Sequence, residues 1–227
     1  MPTRWIMLGL LVLSAARLWA GEVLDRIVAN VNGHVILQSD LEAELRYECF
    51  MTERSLGELT PEDRKAMLDR IIDQELLREQ IHTPEIKPAG SDDIDKQIEG
   101  VKKDYVGNHN AASWSAALSS YSLTEAGIRN HIAFELNQLR LVEIRLRPSV
   151  QIDAGAIESY YKEQLLPQLI RSGGAQISLA QAAPKIRELL VQQQINQLLT
   201  SWLETLRSQA QIRVFVPDPS DPRVRAQ

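Results

Sequence analysis

RIVANVNGHVILQSDLEAEL, Arg26 to Leu45, reads as strand, two-residue turn, strand and helix, with no residue to spare between them. Asn32-Gly33 decides that reading. A type I′ turn needs two residues that accept positive φ, and Asn-Gly is the strongest short hairpin signal. About that turn Val31 faces His34, Ala29 faces Ile36 and Val28 faces Leu37, so both faces of the ribbon are largely apolar. A two-stranded ribbon is barely stable alone. It is therefore expected to be covered by helices and extended by another strand. Ser39-Asp40-Leu41-Glu42 predicts a capping box, with Ser39 and Glu42 satisfying free amides where the first helix starts.

Further helices follow. Thr60-Pro61 supplies an N-cap and a first-turn proline, and Met67, Leu68, Ile71, Ile72 and Leu76 form the buried stripe of the second helix. HTPEIKPAG breaks the pattern, and Ser91 is expected to cap a short charged helix through Ile94, Ile98 and Val101. After the polar stretch GNHNAAS comes a helix containing Trp114 and Leu118. Ser122-Leu123-Thr124-Glu125 reads as another capping box, opening a long helix with Ile128, Ile132, Leu136 and Leu139 turned inward. Arg140, Arg145 and Arg147 suit its C-terminal end, and Pro148 stops it.

Asp153 predicts a cap for a helix through Ile157, Tyr160 and Tyr161, which should kink or end at Pro167. RSGGAQ reads as a loop. The last helix runs from about Pro184 to Gln209, with Ile186, Leu190, Ile195, Leu198, Trp202 and Leu206 on one stripe. QIRVFV then predicts a strand at Ile212 to Val216, and residues 217–227, PDPSDPRVRAQ, read as a disordered tail. That strand is the natural third member of the hairpin's sheet. The expected fold is mainly α, a helical module in which both ends of the chain meet in one small sheet and the helices between them form arms.

Residues 1–20 carry Arg4, the apolar run WIMLGLLVL and small residues, and Gly21-Glu22 follow. The pattern predicts a secretory signal peptide cleaved after Ala20. Arg17 closes the apolar stretch well short of the ~20 residues a membrane span needs. The mature chain, 21–216 ahead of the tail, makes one domain or two small ones and is thus expected outside the cytoplasm. Loss of two arginines and no acid moves the formal net charge from −5 to −7, which argues against nucleic acid or an anionic membrane surface as partner. The only cysteine, Cys49, has no intramolecular disulfide partner and lies in an apolar helical pattern that predicts burial.

These segments resemble the SurA-type periplasmic chaperones. DRIVANVNGHVILQSDLEAEL is similar to the N-terminal family motif, and MLDRIIDQELLREQ to the next family helix. SLTEAGIRNHIAFELNQLRLVEIRLRPSVQIDAGAIESYYKE resembles the following arm and the segment leading to the isomerase domain, and IRELLVQQQINQLLTSWLETLRSQAQIRVF the terminal helix and strand. The resemblance spans nearly all of residues 22–216. It implies a SurA/trigger-factor-like module in which the terminal strand joins the N-terminal hairpin. It implies an ATP-independent periplasmic holdase for unfolded outer-membrane or secreted polypeptides, without cofactor. In the family one or two parvulin-type prolyl isomerase domains follow the YYKE-like segment. Here only Gln164 to Ala183 stands in that place, too short for a catalytic domain with its own core.

No catalytic constellation emerges from the residues themselves. The chain has no Gly-rich phosphate loop, metal-ligand cluster or nucleophile motif. The four histidines, His34, His82, His109 and His131, resemble no parvulin site, and acidic pairs such as Glu62-Asp63 and Asp92-Asp93 suit helix starts. Tyr47, Phe50, Met51, Trp114 and Tyr121 are the candidates for peptide binding, since Met and aromatic side chains suit promiscuous contacts; the alternative is that they are ordinary core residues. Two other functional classes stay open: a prolyl isomerase with a divergent site, and an adaptor subunit dedicated to one folded partner.

Overall fold

The computed structural model describes residues 25–81, 86–108, 113–173 and 177–215. The expected signal peptide, the tail 217–227, Val216, His82 and His109 lie outside the described residues. Asn32 and Gly33 have φ of 51° and 93°, the pair of positive values a type I′ turn requires. They join β1 (Ile27–Val31) to β2 (His34–Leu37). Val31 pairs with His34 and Ala29 with Ile36 as the turn dictates, but Leu37 pairs with Ile27. A bulge between Ile27 and Ala29 leaves Val28 without a β2 partner, which corrects the expected Val28–Leu37 pair.

β3 (Ile212–Val214) lies antiparallel on the other side of β1, giving the strand order β2-β1-β3. The two ends of the described chain therefore share one sheet. Asn32 fastens them. Its backbone N–H donates to the Gln211 carbonyl (3.0 Å), and its Oδ1 accepts from the Gln211 N–H (2.8 Å). Its Nδ2 donates to both carboxylate oxygens of Glu79 (3.0 and 2.9 Å), tying the turn to a helix as well. Helices cover only one face of the sheet. Ile27 and Val35 remain exposed, contrary to a ribbon apolar and covered on both sides.

α1 (Gln38–Met51) starts two residues earlier than the Ser39 cap implies, with Leu37 in the cap position. The Gln38 N–H still bonds to the Arg26 carbonyl (2.7 Å), so the ladder runs straight into the helix. Asp40 accepts from the Leu37 N–H (2.9 Å), while the Ser39 hydroxyl turns to Asp25 and Glu42 pairs with Arg64. α2 (Pro61–Ile81) is capped as expected: Thr60 Oγ1 accepts from the Asp63 N–H (3.1 Å), and Asp63 accepts from the Thr60 N–H (2.8 Å). Arg54 forks onto the same carboxylate at 3.0 and 2.8 Å. That fork and the Thr60 bonds hold the Asp63 carboxyl well below the usual range.

α3 (Ser91–Asn108) is long rather than short, and Ser91 is its first residue, not its cap; the Gly90 carbonyl accepts the first turn's bond from Ile94. α4 (Ser113–Ser120) precedes a turn in which Ser122 takes a φ of 55°. Thr124, not Ser122, caps α5 (Glu125–Arg145) by accepting from the Gly127 N–H at 3.0 Å. On α5, Ile128, Ile132 and Leu141 are buried, Leu136 is half-buried, and Leu139 is 60% exposed.

α6 (Ala154–Tyr160) is capped by Asp153, as its position predicts. It widens into a π turn (Tyr161–Leu165) and continues as α7 (Leu166–Ser172) through Pro167. The helix neither ends nor breaks at the proline, because the wider turn before it relaxes the clash a proline makes one turn back. α7 ends on Gly173 at φ 65°, so part of the expected RSGGAQ loop is helical. α8 (Leu179–Gln209) begins earlier than Pro184, from a Ser178–Gln181 capping box, and holds Pro184 inside its second turn.

Among the described residues the interior is divided into four small cores. The first joins Val28, Ala29, Val31 and Ile36 of the sheet to Leu41, Leu45, Met67, Ile71, Ile72 and Leu76. The second, aromatic, gathers Tyr47 and Phe50 of α1 with α3, α4 and the first half of α5. The third joins Leu77, Ile86 and Leu141 to Leu199, Trp202 and Leu203. The fourth packs α6 and its π turn on the start of α8, through Ile157, Ala182 and Ile186.

Candidate functional site

Three of the five residues singled out from the sequence lie inside the second core. Phe50 sits at its centre, stacked on Tyr105 (5.4 Å between centroids) and edge-on to Trp114 (5.5 Å) and Tyr121 (5.8 Å). Tyr47, Phe50 and Trp114 are buried and Tyr121 is half-buried, its hydroxyl donating to the Arg54 carbonyl at 3.0 Å. The Trp114 indole N–H donates to Glu125 (3.2 Å). These side chains pack the arm built from α3, α4 and the first half of α5 onto α1, so in this conformation Tyr47, Phe50 and Trp114 take the core positions that the sequence left as the alternative to peptide binding. Met51, 43% exposed at the end of α1, is the one that faces outward.

A polar seam borders the aromatic core, and sequence reasoning did not single it out. The Tyr47 ring stacks on the His131 imidazole of α5, with centroids 4.1 Å apart and planes 9° from parallel. On one side the Tyr47 hydroxyl donates to Glu135 (3.1 Å). On the other, His131 Nδ1 lies 3.4 Å from a Glu44 carboxylate oxygen. Glu44 also lines a groove of about 190 Å³ between β2, α1 and α2, with His34, Ile36, Asp40, Ile71 and Arg78. Inside that groove Glu75, only 6% exposed, receives Arg78 at 2.8 Å and faces His34 Nδ1 at 3.6 Å. The Arg78 guanidinium also lies 4.7 Å from the Phe134 ring centroid.

Burial governs the protonation of this seam. It raises the Glu44 carboxyl from its ordinary 4.5 to about 7, with Arg78 and Arg70 opposing the rise and Glu135 and Asp40 adding to it. It raises Glu135, against the pull of the Tyr47 hydroxyl, and it lowers His131. Burial thus works on the two partners of this contact in opposite senses, favouring the neutral form of each.

Cys49 is buried, which pushes its thiol up and away from the reactive thiolate. Among the described residues no group of three or more His, Cys, Asp or Glu side chains could hold a metal ion, and no helix is long and apolar enough to cross a membrane. One signal for the groove was present in the sequence. Glu75 falls one helical turn after Ile71 on the buried stripe of α2, where an acid needs a partner. Compared with known proteins, the chain matches no family model and no curated protein.

Proposed function

We propose that the protein is an ATP-independent holdase of the SurA type, exported to the periplasm, that binds unfolded outer-membrane or secreted polypeptides and slows their aggregation. The observation that carries this reading is the junction of β3 with the N-terminal hairpin, from which the remaining helices extend as separately cored arms. Arms with small cores leave apolar side chains on their surfaces: Leu139 and Ile144 on α5, and Ile170 (66% exposed), Ile177 and Leu189 around α7 and α8. Single exposed apolar residues are ordinary on any protein. Here they fall on different arms, which suits many weak contacts along an unfolded chain. Client affinity is modest in this scheme, because an ordered client loses conformational entropy.

The test is light scattering of a denatured outer-membrane protein diluted into buffer with increasing amounts of the protein and no nucleotide. Dose-dependent suppression is expected. Leu139→Ser combined with Ile170→Ser should weaken it severalfold while leaving thermal unfolding within about 0.5 kcal/mol of wild type. No suppression of several clients at severalfold molar excess sinks the holdase. Recovery of a single folded partner at fixed stoichiometry would then favour the adaptor, and acceleration of proline-peptide exchange the isomerase.

A further inference from the structure

The seam occupies a joint. α5 is anchored by its second half to α2 and α8, where Leu141 sits in the third core, while its first half carries the α3–α4 arm over α1. His131 is the point at which α5 itself meets α1 beside the aromatic core, held between the Tyr47 ring and the Glu44 carboxyl. We propose that the His131–Glu44 contact, braced by the Tyr47 ring, is a proton-sensitive latch that holds the arm closed over the aromatic core of Phe50, Tyr105, Trp114 and Tyr121.

The groups facing Glu44 come from every element around it: Asp40 and Tyr47 on α1, Arg70, Glu75 and Arg78 on α2, His34 on β2, and His131 and Glu135 on α5. The neighbouring cations are already engaged, Arg78 by Glu75 (2.8 Å) and Arg70 by Glu48 (3.1 Å). A Glu44 carboxylate in the closed arm lies beside Glu135 and Asp40 and is poorly solvated; opening the arm returns it to water.

The two halves of the latch titrate in opposite senses. Glu44 binds its proton more tightly closed than open, so its contribution is present below its ordinary value of 4.5 and is lost as pH rises through about 7. His131 binds its proton less tightly closed than open, so its contribution is complete above its ordinary 6.5 and is lost as pH falls below it. Together they oppose each other across the weakly acidic range. The Tyr121 hydroxyl bond to Arg54 at the far side of the aromatic core is silent over this range. Opening would expose the aromatic side chains that the sequence marks for peptide binding. That last step rests on the holdase reading; the latch itself does not.

Amide hydrogen exchange on the full-length protein, corrected for the intrinsic pH dependence, tests the latch. The reporters are residues 113–120 and 125–136, with 186–199 of α8 as control. With His131→Phe, which keeps a ring against Tyr47, protection of the arm should fall about tenfold or more between pH 5 and pH 8, following the tenfold carried by each pKa unit. With Glu44→Gln, protection should instead fall as pH drops below 6.5. Equal pH slopes in the two variants and wild type overturn the latch. If His131→Phe fails to fold, NMR titration of the Glu44 side-chain carboxyl in wild type decides. A midpoint near 7 supports the latch, and one below 5 overturns it. Opposed slopes together with no client suppression would leave the latch standing and remove the holdase; suppression with equal slopes would do the reverse.

Discussion

Phe50 and Met51 are neighbours in sequence with opposite positions in the protein. Phe50 is enclosed by three other aromatic rings, and Met51 faces outward. Phe50→Ala should therefore destabilise by about 3–4 kcal/mol in denaturant unfolding, whereas Met51→Ala should stay within about 0.5 kcal/mol. Equal effects would contradict the packing described. At Glu44 the sign follows from burial. The folded protein binds this proton more tightly than the unfolded chain, so stability falls as pH rises from 4.5 towards about 7. Glu44→Gln removes that loss. It should match wild type near pH 4 and exceed it by about 1–2 kcal/mol at pH 8, a figure reduced from the full linkage value because the side chain keeps some water. A variant less stable than wild type at pH 8 would contradict this. Residue type was legible at both positions, but surroundings were not: composition marks an aromatic as sticky without saying which helix will cover it.

At the scale of elements, the strand signals and the turn were legible because few residues tolerate what they do. Asn32-Gly33 admits one tight hairpin, and Ile212-Arg213-Val214 lies where a third strand was needed. Helix starts were less so. Ser39 and Asp40, or Ser122 and Thr124, each offer a capping oxygen within two residues, and tertiary partners choose between them: Asp25 draws Ser39 away from the first helix end. The buried stripe of α5 was misread at Leu139 for another reason. The helix changes neighbours midway, from α3 and α4 to α2 and α8, so its inward face turns from the Ile128–Ile132 line to Leu141. β3 also carries a prediction. Ending the chain after Gln209 removes the acceptor of the Asn32 N–H and leaves one edge of β1 open. Exchange of the Asn32 amide should quicken by about a hundredfold, as expected when a core hydrogen bond becomes a fraying one. Unchanged protection at Asn32 would show that β3 does not hold the sheet together.

Across the whole molecule, α8 joins three of the cores, reaching from the fourth at Ile186 through the third at Trp202 to the first at Leu206. The α6–α7 lobe contacts the rest through the beginning of that helix, so it should open as a unit of its own. Ile186→Ala should raise hydrogen exchange across residues 154–170 about tenfold or more while leaving 27–50 unchanged. Uniform loss of protection would instead mean that the molecule unfolds as one. The lobe's position was legible from its apolar spacing. Its continuity through Pro167 was not, since a π turn has no sequence signature comparable to a cap.

The bond between Asn32 and Gln211 spans 179 residues. Closing so long a loop adds little to its equilibrium cost, because that cost grows only with the logarithm of length, but non-local pairings form slowly. A chain emerging amino end first therefore displays its hairpin with one edge bare while nearly everything else is still being made. β1 becomes the central strand only when the last helix has been delivered. Its pairing works as a record of completion: a chain interrupted anywhere before β3 keeps β1 itself as an open edge, visible to proteases and to other unfinished chains.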